Sequence, residues 1–560
     1  MENLRNLLKR SADNYGSRIA FTLKEEEGKY KDISYIRYFE EVKCLGEALL
    51  YKGINKDKVA IIGKNSYNWF LANAATQISG NVSVPLDKEL KYEEFEQCLI
   101  RSEAKVIFYD RKERDMVLKA MAAKKTKIKH AFPLFECDEE NISNLLLKGK
   151  NRIDNLEDSI DKVEIDDDEV SFLLFTSGTT SVSKIVMLSQ RNIYTNVYNM
   201  LDVEPIYATD TNMALLPYHH TFGSTGQWVM LGAGNRTVYC DGLKYIQKNM
   251  QEYGVSLFVG VPLIIESMYN KIIKTAEKQG AVNKLKRFQK LVRGLKKFNL
   301  DIRRNIFKGV IDALGGKLRL VILGASAADP ECIRGLYDFG VLAIQGYGLT
   351  ETSPVLAAER EHYRKPGSVG IPMQGVEIKI DNPDEYGIGE IVARGDNIMK
   401  GYYMDDEATN QVLKDGWFYT GDLGYLDKDG FLFLTGRKKN VIVLKNGKNV
   451  SPEEIEAKIS KLPYVVENIV FGIPNKEDER DLVIATKIVY DEEKLTGKSQ
   501  EEILEIINKD IDKINEEVPL YRHIKRIYFT DRPMVKTSTG KIKKYIEIKN
   551  IKESLKQNLS

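Results

Sequence analysis

The stretch LLFTSGTTSVSKIVMLS, Leu173 to Ser189, decides how the chain is read. An apolar run stops at Phe175. Small and hydroxylated residues follow, then Lys184, and a second apolar run begins at Ile185. A phosphate loop of the Walker type needs GxxxxGK followed by Ser or Thr and a helix. Here no glycine precedes the lysine and Ile185 follows it. IVML has strand character, so the pattern is strand, loop, strand, and no helix dipole can be assumed to hold an anion. What remains is a turn of exposed amides, with hydroxyls on Thr176, Ser177, Thr179, Thr180, Ser181 and Ser183 beside Gly178, and the ammonium of Lys184. Such a turn can wrap a polyphosphate. A polar hairpin turn is the plainer alternative.

Outward from this loop the chain alternates. On its N-terminal side, ISYIRYFEEVKCLGEALLYKG (Ile33 to Gly53) has apolar residues at helical spacing and a glycine stop. The strand-like KVAIIGKN, the helical NWFLANAATQISG and the strand-like VSVPL come next, then KYEEFEQCLIRSEA and KVIFYD. This rhythm predicts an α/β fold with largely parallel sheets covered by helices. The acidic run Asp161 to Val170 is expected to be a surface connection, with FLLFT opening a second set of αβ units that includes SLFVG, LRLVILG and VLAIQ. After about Pro354 short glycine-bounded strands such as GVEIKI, GEIVARG and GFLFLTG predict a small β-subdomain. Mixed α and β patterns restart at Arg437.

The 560 residues imply more than one domain, and 43% hydrophobic against 29% charged residues is a globular composition. A net charge of +2, from 83 basic and 81 acidic side chains, argues against a nucleic-acid partner. Five cysteines without CxxC spacing argue against a disulfide framework or a zinc site and fit a reducing cytoplasm. The opening MENLRNLLKRSADNYG carries charges through any apolar core, so a secretory leader is not expected. No window approaches the ~18 apolar residues of a spanning helix.

Further motifs are QGYGLTETSP (Gln345 to Pro354), YTGDLG (Tyr419 to Gly424), GRKKNVIVLKNGKNVSPEEIE (Gly436 to Glu456), TSTGKIKK (Thr537 to Lys544) and LPYHHTFG (Leu216 to Gly223). Together with TSGTTSVSK, in this order and spacing, they resemble the adenylate-forming superfamily over essentially the whole chain. A basic insert followed by LGGKLRLVILGASAADPE is most similar to the long-chain fatty-acid–CoA ligase branch. The resemblance implies a large N-terminal domain over 1–436, with two αβ sheets (about 1–170 and 171–350) and a small β-barrel-like subdomain (about 351–436). A small, mobile α+β C-terminal domain over 437–560 completes it. Two departures stand out: Ser181, Ser183 and Ile185 replace the family's Gly, Pro and Gly, and Lys544 stands where arginine is frequent.

The reaction the resemblance implies has two halves. A carboxylate attacks the α-phosphate of ATP, giving an acyl adenylate and pyrophosphate. The thiol of coenzyme A then displaces AMP. Both halves gather charge on phosphate oxygens, so the site needs cations and donors more than a base. The resemblance makes Lys541 the adenylation lysine, Glu351 the ligand of a magnesium ion and Thr350 a phosphate donor. It stacks Tyr347, within Gln345, Gly346 and Gly348, on adenine. Gly324, Ala325 and Ser326 end a strand where a base can approach. Asp422 takes the ribose hydroxyls and Arg437 the ribose or phosphate.

His220 is placed beside the acyl carboxylate, with Phe222 and Trp228 in the acyl tunnel, although adjacent His219 makes that assignment ambiguous. Lys439 is the hinge, and Asn446 and Gly447 border the pantetheine channel. Taken singly, each has a plainer reading, as a solvated lysine, a turn aspartate or core packing.

From Lys271 to Lys308 thirteen Lys or Arg face two acids, and Leu285, Phe288, Leu291, Val292, Leu295 and Phe298 form one helical stripe. The segment reads as solvated amphipathic helices, as a dock for anionic lipid at the inner face of the membrane, or as an attractor of coenzyme A. The expected substrates are a medium- or long-chain fatty acid, ATP and coenzyme A. One alternative is an enzyme passing fatty or aryl acids to a carrier-protein thiol. Another is a nucleotide- or lipid-binding protein without catalysis, which the altered loop motivates. The sequence leaves a homodimer open.

Overall fold

The computed structural model describes residues 3–157, 159–176, 183–296, 300–326, 328–445, 448–475, 482–536 and 542–557. The parallel strands are short and most are apolar, although Thr211–Ala214 and Arg236–Tyr239 carry polar residues. Val106–Tyr109 and Leu320–Leu323 bury every residue, because helices cover both faces of their sheets. Hydroxyl or carboxylate side chains start the covering helices. Ser34, Ser66, Ser189 and Asp329 each accept a first-turn amide.

Two large sheets form the body. A seven-stranded sheet runs Gly401–Tyr402, Ile185–Ser189, Val170–Phe175, Val82–Leu86, Lys58–Ile62, Val106–Tyr109, His130–Pro133. A nine-stranded sheet has Leu342–Gly348, Leu320–Leu323, Leu257–Gly260, Thr211–Ala214 and Arg236–Tyr239 as its parallel centre. A five-stranded antiparallel sheet over 377–437 packs beside them. Beyond it lie a two-stranded ribbon and a three-stranded sheet (Val465–Pro474, Leu482–Tyr490, Ile524–Thr530) with helices Pro452–Ile459, Gln500–Glu516 and Lys544–Gln557.

Sheet membership departs from the sequential division. Val170–Phe175 does not open the second sheet. It pairs with Val82–Leu86 in the first. The first strand pair of the chain, Ile19–Glu26 and Lys29–Ser34, lies in the nine-stranded sheet through parallel pairing with Arg236–Tyr239. Val355–Ala358 and Ile371–Pro372, expected in the β-subdomain, also join the nine-stranded sheet, and Gly401–Tyr402 closes the edge of the seven-stranded one. Apolar rhythm records that a segment is a strand. Its neighbours are set by long-range pairing that the rhythm does not encode.

Local differences follow the same logic. Ile33 and Ser34 end a strand, and the helix over Tyr35–Tyr51 begins only after Ser34 caps it. In the basic segment the long helices are Pro262–Lys278 and Val282–Lys296, followed by the single turn Arg303–Ile306. Val292 is buried there, whereas Leu291 is 48% exposed, so the expected stripe is narrower by one leucine. Phe298 lies outside the described residues. Two apolar cores draw only on residues from Ile442 onward, and the others end at Leu432.

Candidate functional site

The site is assembled at the C-terminal ends of the parallel strands, where an open α/β sheet leaves a crevice. Gly260, Leu323 and Gln345 stand in register across three neighbouring strands. Gly324 follows, and a Cβ there would lie 2.8 Å from the ring of Phe222, so that ring packs against bare backbone. Ala325 adopts φ +72°, a left-handed conformation costly for alanine, and exposes the turn. Gln345 accepts from the Ala328 amide at 3.1 Å, and its own amide donates to Glu359 Oε2 at 3.0 Å. At Gly348 a Cβ would sit 1.7 Å from the Pro354 carbonyl oxygen, so only glycine fits the turn into Thr350–Thr352.

Around Tyr347 the arrangement is tightly bonded. Its hydroxyl donates to Asp422 Oδ2 at 2.8 Å, and Arg437 Nε lies 2.8 Å from Asp422 Oδ1. Asp422 and Arg437 face each other across antiparallel strands Trp417–Leu426 and Leu432–Arg437. Burial pushes the Tyr347 phenol well above its ordinary range, and the Asp422 charge adds to this.

Around Glu351 the bonding is looser. Thr176 donates its amide to the Lys184 carbonyl at 2.9 Å, closing the hairpin of the opening motif. Ile185 is the first residue of a buried strand, paired with Phe175, so the position where the family has glycine is extended backbone. Lys184 Nζ lies 4.3 Å from the ring centroid of Tyr402, and the Tyr402 hydroxyl donates to Glu351 Oε1 at 2.9 Å. Pairing of Tyr402 with Val186, and donation from the Met399 amide to the Glu351 carbonyl at 2.9 Å, hold the pieces together. Among the described residues no partner engages Glu351 Oε2, which suits a hard cation that takes one carboxylate oxygen, water and phosphate. Glu351 and Tyr402 share a cavity of 470 Å³ with Gln411, Lys414, Thr420 and Lys438. Among the described residues no three His, Cys, Asp or Glu side chains cluster as an all-protein metal cage requires.

Lys439 joins the two groups. It is exposed, in the turn Lys438–Asn440, and desolvation by the surrounding protein lowers its ammonium. Arg437 and Lys184 lower it further, and Asp422 and Glu351 oppose them. Lys439 therefore stands within the charges of the site, besides following the strand that ends at Arg437.

The remaining assignments divide. His220 precedes helix Thr221–Ala233, with its ring 4.2 Å from that of His219, and His219 Nε2 lies 3.5 Å from Asp87 Oδ2. Phe222 reaches the Gly324 edge. Trp228 does not. It is buried in the main core with its ring 5.2 Å from that of Phe70. Six positions along a helix turn two side chains to different faces, so the two aromatics do not line one tunnel. Ser177, Gly178, Thr179, Thr180, Ser181, Asn446, Gly447 and Lys541 lie outside the described residues. Sequence reasoning missed Tyr402. The only available signal was a lone aromatic doublet, Tyr402 and Tyr403, after a glycine.

Residues 8–403 match the AMP-binding enzyme family, and residues 439–557 match the AMP-binding enzyme C-terminal domain. Fatty acyl-CoA synthetase B of Dictyostelium discoideum is 27% identical, over 96% of this chain and 88% of that protein. The chloroplastic long-chain-fatty-acid–acyl-carrier-protein ligase of Arabidopsis thaliana is 26% identical, over 84% of this chain and 76% of that protein. The crystal structure of ATP-bound MatB from Rhodopseudomonas palustris superimposes with a TM-score of 0.76 at 23% identity, covering 97% of this chain and 98% of that one. At that identity the likeness shows the fold.

Proposed function

Because the chain belongs to the AMP-binding enzyme family, we propose that it is an AMP-forming acid–thiol ligase joining a medium- or long-chain fatty acid to coenzyme A through an acyl adenylate. One observation carries the reading. Lys184, Tyr347, Glu351, Asp422, Arg437 and Lys439, far apart in sequence, converge into a single field of donors and charges. That combination suits a nucleotide whose ribose is fixed by Asp422 and whose phosphates meet cations. The names of the curated relatives support the fatty-acid and coenzyme A parts.

Glu351 would hold magnesium, which when bound supplies positive charge to the phosphates. Lys184 and Arg437 would orient and neutralise phosphate oxygens, and burial around Tyr347 excludes water from the base. Lys541 would bring a further cation to the entering carboxylate, with Lys439 as hinge. A division at residue 437 is part of the proposal, supported by cores that do not mix across Phe433–Val441.

Peripheral contact with an anionic membrane through 271–308 is supported by its thirteen cations and by exposed Leu291, Leu300 and Ile302. Among the described residues no helix is long and apolar enough to cross a membrane. The cysteines are free, as a cytoplasmic location would have them.

A second reading, transfer of the acyl group to a carrier-protein thiol, is favoured by the match to the Arabidopsis ligase. Pyrophosphate release measured over a panel of carboxylic acids, with and without coenzyme A, tests the first reading. Release accompanied by acyl-CoA is the expected result. Thioester formed only on a carrier protein would transfer the assignment to the second reading. ATP binding without release on any acid would overturn both.

A further inference from the structure

A second concentration of positive charge lies at the opposite end of the strand that carries Tyr347. Helix Pro330–Phe339 brings Tyr337 against three cations from separate segments. Lys296, at the end of helix Val282–Lys296, donates to the phenol oxygen, and its Nζ is 4.0 Å from the ring centroid. Arg303 stacks on the ring at 4.4 Å and donates to the Tyr337 carbonyl at 2.5 Å. Arg364, from the turn after Val355–Ala358, stacks at 4.5 Å.

A ring attracts each cation, but three cations around one ring repel one another unless an anion answers them. The nearby carboxylates are committed. Asp301 takes Nε and Nη2 of Arg303 at 2.8 and 2.6 Å, and Asp338 takes the fork of Arg293. Among the described residues no carboxylate forms an ion pair with Lys296 or Arg364. Glu359 is in reach of Arg364's field, but its carboxyl is buried against Gln345 and pushed up to about 7. The excess shows in Tyr337 itself. Burial alone would raise its phenol, yet Lys296, Arg303 and Arg364 together outweigh burial and lower it.

We propose that Lys296, Arg364 and the Tyr337 hydroxyl form a seat for a phosphate group, with Arg303 closing one side. A guanidinium offers the fork that grips two phosphate oxygens and an ammonium offers a point charge, so the pair suits phosphate better than a single carboxylate. The seat is separate from the nucleotide residues. The seven-residue strand Leu342–Gly348 stands between them, about 20 Å at ~3.3 Å per residue. It adjoins the basic helix and exposed Leu300 and Ile302, so the phosphate can belong to a lipid headgroup or to a soluble ester.

The test uses the full chain, with inorganic phosphate and chloride compared at matched ionic strength. Phosphate is expected to raise the melting temperature and to shift the pH at which Tyr337 ionises upward, read as phenolate absorbance against a Tyr337→Phe control. Arg364→Gln and Lys296→Gln should each weaken phosphate binding about tenfold, as expected for one lost charge-assisted bond, while Lys296→Arg retains it. A second arm uses vesicles of phosphatidic acid in phosphatidylcholine. Vesicle binding that inorganic phosphate displaces assigns the seat to lipid, and phosphate binding without vesicle binding assigns it to a soluble ester. Equal phosphate response in the wild type and all variants, or none beyond that of chloride, overturns the proposal.

Discussion

Two tyrosines organise the two ends of the proposed nucleotide site, and they do so differently. Tyr347 and Arg437 both bond to the carboxylate of Asp422, so cation, carboxylate and phenol form one closed set. Tyr402 bonds to Glu351, but Lys184 rests on the face of its ring. At that end cation and carboxylate are held near each other without being joined. The first arrangement is nearly neutral and already satisfied, which suits recognition of hydroxyls and a flat base. The second keeps a cation and a carboxylate oxygen available, as charged phosphates and their metal require. A site that binds a neutral group and a charged group in one ligand needs both kinds of end.

Breaking the closed end should cost most. Asp422→Ala takes the acceptor from the buried Tyr347 phenol and from the exposed Arg437 guanidinium, and removes the carboxylate proposed to hold both ribose hydroxyls, where each hydrogen bond to a charged group is worth about 1.5 kcal/mol or more. With two such bonds lost, ATP affinity measured by calorimetry should fall at least about a hundredfold. An unchanged dissociation constant would mean that this carboxylate faces no ligand. Removing the open cation should separate binding from chemistry. Lys184→Met is expected to slow pyrophosphate release about a hundredfold, the scale of a lost oxyanion donor, while AMP affinity stays within about threefold. Equal loss of AMP and ATP binding would erase the distinction between the ends.

The closed end was legible in the sequence and the open end only half so. Tyr347 and Asp422 lie in motifs whose glycines and hydroxyls mark them. Lys184 and Glu351 lie in such motifs too. Tyr402 does not, because its role comes from a two-residue strand pairing with Val186, more than 200 positions earlier. The same cause misplaced Val170–Phe175. Its apolar run announced a strand, but a parallel partner near residue 83 is fixed by packing of the whole sheet. Trp228 failed for a simpler reason. The helix Thr221–Ala233, almost wholly buried, gives little contrast between its faces, so composition does not say which aromatic reaches the crevice.

Tyr402→Phe sharpens the comparison at smaller cost. It keeps the ring beneath Lys184 and removes only the hydrogen bond to Glu351, worth about 1.5 kcal/mol when the acceptor is charged. The magnesium titration of pyrophosphate release should shift about tenfold to higher concentration, with melting temperature nearly unchanged. Tyr402→Leu should add a rise in the KM for ATP, because it also removes the face on which Lys184 rests. A shift in Tyr402→Leu with none in Tyr402→Phe would leave the ring contact and discard the hydrogen bond.

The smallest effect expected on turnover lies behind the closed end. Glu359 binds the Gln345 amide at the strand that carries Tyr347, and Glu204 is buried beside it. Burial, reinforced by the Glu359 charge, pushes Glu204 up to about 8, and burial holds Glu359 near 7. Both native carboxyls thus keep protons that the unfolded chain releases near 4.5. The folded state binds more protons across that interval, so this pair's contribution to stability falls as pH rises from about 4.5 to about 8. Glu204→Gln removes one titrating group while keeping its shape. Relative to wild type, its melting temperature should improve steadily from about pH 5 to about pH 8. A difference independent of pH would mean that Glu204 is ionised in the folded protein, and that the strand under Tyr347 rests on a charge rather than on a neutral carboxyl.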